Sequence, residues 1–165
     1  MDIYEFLNHH AIVYERFHHE AVYTCEQADR LGLPGSSAKT KNLFLRDRKG
    51  RRHVLVSVMA DKTVDVKALE GILGMKGLSF ASPERLMKHL GLTPCSVTIL
   101  GVFNDTRSQV EVIIDEDLWN CSSLQCHPLV NTSTLIISLD DIRRFLELTG
   151  HTARIIRVPC RTVEP

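Results

Sequence analysis

The sequence predicts an α+β fold: one domain, with a curved, mixed β-sheet of about seven strands and about five helices packed outside it. Three observations lead there. Strand-length apolar runs are interleaved with amphipathic helical stretches, but not in the regular alternation of an all-parallel sheet. Two of the strands are close enough in sequence to form a hairpin, which requires antiparallel pairing. No repeat, low-complexity stretch or linker divides the 165 residues, so a single domain spanning 1–165 is expected.

Each element has a local reason. Ile3, Phe6 and Leu7 recur at helical spacing, so the first ten residues predict a short amphipathic helix. Residues 12–17 alternate apolar and polar and predict a strand. Thr24 offers an N-cap oxygen and Gln27 follows three residues on, opening a helix that Gly32, Pro34 and Gly35 close. Residues 42–46 and 53–59 predict a hairpin across the polar, Gly50-containing turn 47–51. Residues 66–73 predict a helix led by Asp65. Ser82-Pro83-Glu84 is a strong helix start, and Gly91 fits its stop.

The apolar, β-branched runs 97–103 and 110–115 predict two strands parted by the turn 104–107, and residues 134–137 predict another. Ser138 caps a helix through Leu148, with Asp141 completing a capping box and Gly150 ending it; residues 154–158 predict the last strand.

Composition narrows the function classes. At 44% hydrophobic and 24% charged, with a formal net charge of +0, the chain has the make-up of a soluble globular protein and lacks the overall basic excess of many nucleic-acid binders. Cations are nevertheless concentrated: Lys39, Lys41, Arg46, Arg48, Lys49, Arg51 and Arg52 fall within one short stretch where acids are sparse. No apolar run is long enough for a membrane span and no export signal is recognised at the N-terminus, so a cytoplasmic protein without membrane partners is expected, its five cysteines reduced.

Two segments carry candidate chemistry. In residues 35–45 a small-residue loop delivers Lys41 and Asn42 to the mouth of a strand, where an ammonium can meet a phosphate. It is not a P-loop, because the glycine spacing is absent and no helix follows; a solvated loop before a hairpin is the bland alternative. Residues 126–134 are dense in hydrogen-bonding groups. His127, held by Pro128, could orient a water or bind a ribose hydroxyl, and a core or capping histidine is the bland alternative.

Other arrangements lead nowhere. Cys126 and His127 cannot be a nucleophile–base pair, because neighbours on a strand face opposite ways. Cys121, Cys126 and His127 lack the partner spacing of a zinc site, so no metal and no cofactor is expected. His9-His10 and His18-His19 are expected as exposed pairs at element ends, and no serine elbow is present.

Several stretches together resemble the YbaK/prolyl-tRNA synthetase insertion-domain family of aminoacyl-tRNA editing proteins, and within it the free-standing alanyl-tRNA(Pro) deacylases. They are Lys39-Thr40-Lys41-Asn42-Leu43-Phe44-Leu45-Arg46-Asp47, Cys126-His127-Pro128-Leu129-Val130-Asn131-Thr132, the pair Pro94-Cys95-Ser96-Val97-Thr98 and Gly101-Val102-Phe103-Asn104-Asp105, and Thr24-Cys25-Glu26-Gln27-Ala28. The likeness covers nearly the whole chain in the expected order and implies the fold of that family. It implies a hydrolase that deacylates mischarged proline tRNA, foremost Ala-tRNA(Pro), by water attack on the 3′ aminoacyl ester. Backbone groups and the substrate's own 2′-hydroxyl would assist.

By that resemblance Lys41, Asn42 and His127 are the catalytic candidates. Thr24, Val97, Thr98, Gly101, Phe103 and Asn131 are the substrate-binding ones. The implied partners are the 3′ end of mischarged tRNA(Pro) and, additionally, prolyl-tRNA synthetase. The chain departs from the family's Gly-x-x-x-Pro loop, where Cys95 and Ile99 stand at the two signature positions. That departure keeps two alternatives in view: a deacylase for another small amino acid such as cysteine, and a non-catalytic module that binds tRNA or the synthetase. A small-molecule hydrolase on the same scaffold is a third.

Overall fold

A computed structural model of the chain describes residues 1–21 and 37–161. The helix expected from Thr24, with its Thr24–Gln27 capping box, lies outside the described residues.

The two sheets follow from the strand patterns. β1 (Tyr14–His18), β6 (Ser123–Cys126) and β7 (Ser133–Ser138) form an antiparallel sheet in the order β1-β7-β6. β2 (Thr40–Arg46), β3 (His53–Met59), β4 (Ser79–Phe80), β5 (Val110–Asp115) and β8 (Ala153–Ile156) form a mixed sheet in the order β4-β2-β3-β5-β8. The expected hairpin is there, with β2 antiparallel to β3, whereas β3–β5 and β5–β8 are parallel. The mixed α+β architecture therefore holds, with its strands divided between two sheets rather than gathered into one.

Both faces of the larger sheet are buried, which explains the near-continuous apolar run of β3. Leu45, Val54, Val56 and Val58 face one core, against Leu69 and Leu73 of α2 (Val66–Leu73). Phe44, Leu55, Val112 and Ile114 face a second core shared with Leu124, Cys126, Leu135 and Ile137 of the smaller sheet. The same core takes Ile3 and Leu7 of α1 (Ile3–His9) and Ile142 and Phe145 of α5 (Leu139–Leu148).

The helix boundaries obey local capping. Asp65 accepts the Ala68 amide at 3.0 Å and Ser82 accepts the Arg85 amide at 3.2 Å at the start of α3 (Pro83–Leu90). Gly74 and Gly91 close α2 and α3 in the left-handed conformation, at φ 65 in each case. Ser138 caps α5 by accepting the Asp141 amide at 3.2 Å. The reciprocal half of that box is not made: the Asp141 carboxylate accepts from the Val13 amide and from Arg144, tying α5 to the segment before β1.

The strand expected over 97–103 is instead a pair of 3₁₀ turns, Pro94–Ser96 and Ile99–Asn104. Pro94 sets the first turn. The Thr98 hydroxyl accepts the Leu100 amide at 3.3 Å and starts the second. The apolar residues that suggest a strand are buried here by packing instead: Ile99, Leu100 and Val102 all join the core shared by the two sheets. Three short elements escape the sequence reading, namely β4, β6 and α4 (Glu116–Trp119).

Candidate functional site

The site is built where the chain enters β2 alongside β6. The Ala38 amide donates to the Ser123 carbonyl and the Gln125 amide to the Ala38 carbonyl, each at 2.9 Å. The Thr40 hydroxyl donates to the Gln125 carbonyl at 2.8 Å, and the Gln125 side-chain amide to the Ser37 hydroxyl at 2.9 Å. Lys41 is one residue beyond this seam on β2, and His127 is two residues beyond it on the chain leaving β6. Two positions far apart in sequence are thus held at one junction of the two sheets.

Strand alternation sorts the residues on β6. Leu124 and Cys126 are buried in the core, while Gln125 and His127 are half-buried on the other face. Burial pushes the Cys126 thiol up to about 12, so it is inert at neutral pH.

His127 Nδ1 lies 3.3 Å from the Ser133 carbonyl, which can only accept. Nδ1 therefore carries the proton and Nε2 presents its lone pair. Burial holds the imidazole below its usual value of 6.5. The Ser133 carbonyl opposes that shift and nearby His19 adds to it, so the ring is neutral at physiological pH.

The loop that follows His127 holds Leu129 at φ 67, a left-handed conformation that a leucine adopts only when its surroundings enforce it. Leu129 is packed against the main core, which supplies that enforcement. Asn131, half-buried in the same loop, is already engaged in an interaction of its own.

On β2, Lys41 is half-buried opposite Val58, and among the described residues its ammonium has neither an ion pair nor a hydrogen bond. Asn42 faces the other way, opposite buried Ser57, whose hydroxyl donates to Asn42 Oδ1. That bond fixes the amide so that its NH₂ group remains to donate elsewhere.

The remaining candidates are placed as follows. Val97 is half-buried against the main core, and Thr98 is fully buried as a cap. Gly101 lies where a Cβ would come within 2.6 Å of Leu92 Cδ1, so its lack of a side chain serves close packing. Phe103 packs edge-on to Phe6 of α1, ring centroids 5.1 Å apart. These side chains hold the scaffold together, leaving backbone groups as this stretch's means of contacting a ligand. Cys95 is exposed and is not among the positive-φ residues, so the position accepts a side chain without strain; Ile99 is buried. Thr24 lies outside the described residues.

Several contributors escape sequence reasoning. The His18-His19 pair is exposed only in part. His18 is exposed, but His19 is half-buried, donating from Nδ1 to the Glu20 carbonyl and accepting the Thr134 hydroxyl on Nε2, each at 2.8 Å. Ser57, Gln125 and Thr40 are also newly implicated. The signal for Ser57 is a lone hydroxyl in an apolar strand, which must find a partner. Among the described residues no group of three or more His, Cys, Asp or Glu side chains is placed to hold a metal ion, and no helix is long and apolar enough to cross a membrane.

A mixed sheet clasped to a small antiparallel one has counterparts among known proteins. Residues 19–145 match the aminoacyl-tRNA editing domain family, and the chain belongs to that family. It is 38% identical over 147 residues to the prolyl-tRNA editing protein ProX of Acetoanaerobium sticklandii, a match covering 89% of this chain and 90% of ProX. It is 34% identical over 157 residues to prolyl-tRNA synthetase associated domain-containing protein 1 of Danio rerio, covering 94% of this chain and 85% of that protein. In fold it is similar to the crystal structure of the protein APE2540, with a TM-score of 0.74 at 16% identity, covering 94% of this chain and 97% of the other. A crystal structure of a candidate trans-editing enzyme for prolyl-tRNA synthetase gives a TM-score of 0.67 at 18% identity, covering 88% and 85%.

Proposed function

We propose that the protein is a trans-editing hydrolase, an aminoacyl-tRNA deacylase that removes a wrongly attached small amino acid, foremost alanine, from proline tRNA. Family membership and the likeness to ProX support the class. The observation that supports the chemistry is the Thr40–Gln125 hydrogen bond, which sets the strand bearing Lys41 and Asn42 alongside the chain that leads to His127. The names of the relatives support proline tRNA as the partner, with prolyl-tRNA synthetase as the enzyme whose errors are corrected.

The reaction adds water across the 3′ ester, releasing the amino acid as a carboxylic acid and restoring the ribose hydroxyl. An aminoacyl ester is already activated, so orientation and stabilisation of the developing oxyanion suffice without a strong base. The Lys41 ammonium meets the terminal phosphate, and the free NH₂ group of Asn42 donates to the ester or to a ribose hydroxyl. Neutral His127 accepts through Nε2 from the substrate's hydroxyl or ammonium group. Alanine is retained and proline excluded by size, as in a second editing sieve.

The test is release of alanine from Ala-tRNA(Pro), with Pro-tRNA(Pro) spared. Lys41→Ala should lower kcat/KM by about a hundredfold, comparable to losing one preorganised donor elsewhere. Release of cysteine or another small residue in place of alanine would reassign the specificity, as the Cys95 and Ile99 departures allow. Binding of charged tRNA that protects the ester would instead favour a non-catalytic module.

A further inference from the structure

At the end of β2 remote from Lys41, three segments separate in sequence bring cations onto one surface. Arg46 ends β2 and the β2–β3 turn carries Arg48, Lys49 and Arg51; the loop before β4 contributes Lys76; α3 contributes Arg85. The segments are physically joined. The Arg48 amide donates to the Lys76 carbonyl at 2.8 Å, and the Arg48 side chain lies over Gly77, where a Cβ would come within 2.7 Å of Arg48 Cβ. Arg85 donates to the Gly50 carbonyl at 3.3 Å, its guanidinium occupying the space that a side chain at Gly50 would need.

The cations of this surface outnumber the neighbouring acids. Glu111 pairs with Arg52. Asp47, which accepts the amides of Arg51 and Arg52, Glu70, which accepts the Leu78 amide, and Glu84, in the first turn of α3, keep their charges and offset only part of the six cations. Arg48, Lys49, Arg51 and Lys76 are exposed, and none has an ion pair among the described residues. In a chain of formal net charge +0 this is a marked concentration of positive charge. Beside it, β4 presents Phe80, 63% exposed, on the edge of the sheet next to Leu45.

We propose that this surface binds the phosphate backbone of the tRNA acceptor stem while the 3′ end occupies the Lys41 seam. The proposal rests on the deacylase reading for what lies at that seam. The spacing fits: Lys41 and Arg46 are five residues apart on one extended strand, roughly 16 Å at about 3.3 Å per residue, a gap that a few unpaired nucleotides can bridge, and their side chains leave opposite faces of that strand. Several exposed cations on a rigid hairpin and helix suit a regular row of phosphates. They read no sequence, and they make binding salt-dependent through counterion release. Phe80 adds an aromatic face that a ribose or an unpaired base can cover.

The experiment compares the wild-type chain with the triple variant R48Q/K49Q/R51Q and with K76Q, which draws on a second segment. All the altered side chains are exposed, and folding is checked by circular dichroism. Deacylation is measured on full-length Ala-tRNA(Pro) and on an alanyl-CCA trinucleotide, and binding on uncharged tRNA(Pro) over a salt series. The triple variant should lose at least tenfold in kcat/KM on the full-length substrate and nothing on the trinucleotide. Its plot of log Kd against log salt should flatten by about one unit for each phosphate that the variant no longer neutralises.

Parallel losses on both substrates, unchanged tRNA binding in the variants, or no tRNA binding by the wild type would overturn the proposal. So would a triple variant that keeps its tRNA affinity but no longer binds prolyl-tRNA synthetase, since that would make the surface a protein contact. A wild-type chain that binds tRNA through these cations yet hydrolyses neither substrate would sink the deacylase reading and leave the docking surface standing.

Discussion

Ser57 is the residue whose role is most readily separated from folding alone. Its hydroxyl holds the Asn42 carbonyl oxygen and so aims the NH₂ group of Asn42. Ser57→Ala should cost about 1 kcal/mol of stability, the net worth of one hydrogen bond. It should also lower kcat several-fold while leaving KM for charged tRNA nearly unchanged, because the amide then turns freely; steady-state kinetics beside a urea melt separate the two effects. A raised KM with kcat intact would reduce Ser57 to a packing residue. On residue chemistry alone, Lys41 and Asn42 read as the point where a solvated loop enters a hairpin strand and His127 as a core or capping histidine. Only their occurrence in several motifs in a fixed order singled them out as a candidate site. Ser57, His19 and Gln125 were not legible, because each acts through a partner on another strand, and Thr134, the partner of His19, lies 115 residues away along the chain.

Elements with their own capping chemistry were the ones the sequence revealed. Residues 66–73 and 83–90 are helices with the expected bounds, because Asp65, Ser82, Pro83 and Gly91 act locally. β4, α4 and β6 span two to four residues each and form because neighbouring strands and the core hold them, which no local pattern announces. The stretch 94–104 misleads for the same reason. Its β-branched residues suit a strand, but a proline, a capping threonine and a glycine pressed against Leu92 turn it into 3₁₀ helix. Gly101→Ala therefore tests the packing at the element scale. Leu92 is 1% exposed and has little room to swing aside, so the substitution should cost about 1–3 kcal/mol, read as a lower urea midpoint. An unchanged midpoint would mean that this turn is looser than its contacts imply.

For the molecule as a whole, acid is the informative stress. His53 is buried beneath α3, its ring centroid 4.0 Å from that of His89, with the Arg85 guanidinium 3.1 Å from its Nε2. Burial, then His89, then Arg85 lower its pKa from 6.5 to about 4, and burial likewise lowers that of His89. An imidazole with a depressed native value supports the fold fully above pH 6.5. That support is lost as pH falls towards 4, because the unfolded chain takes up protons that the native one refuses. The loss from His53 is at most about 3 kcal/mol. The melting temperature should fall between pH 7 and pH 5 more steeply in the wild type than in His53→Gln, and equal slopes would contradict this account. The overall class of fold was legible because it follows from hydrophobic periodicity; the partition into two sheets was not, because it depends on which distant strands meet. β1 pairs with β7, from the far end of the chain, and β5 takes β8, which comes later still, as its second parallel neighbour. A ribosome making this protein must therefore deliver nearly the whole polypeptide before either sheet can be completed. Until then the apolar edges of the early hairpin stand open, and this is the interval in which a chaperone has the most to shield.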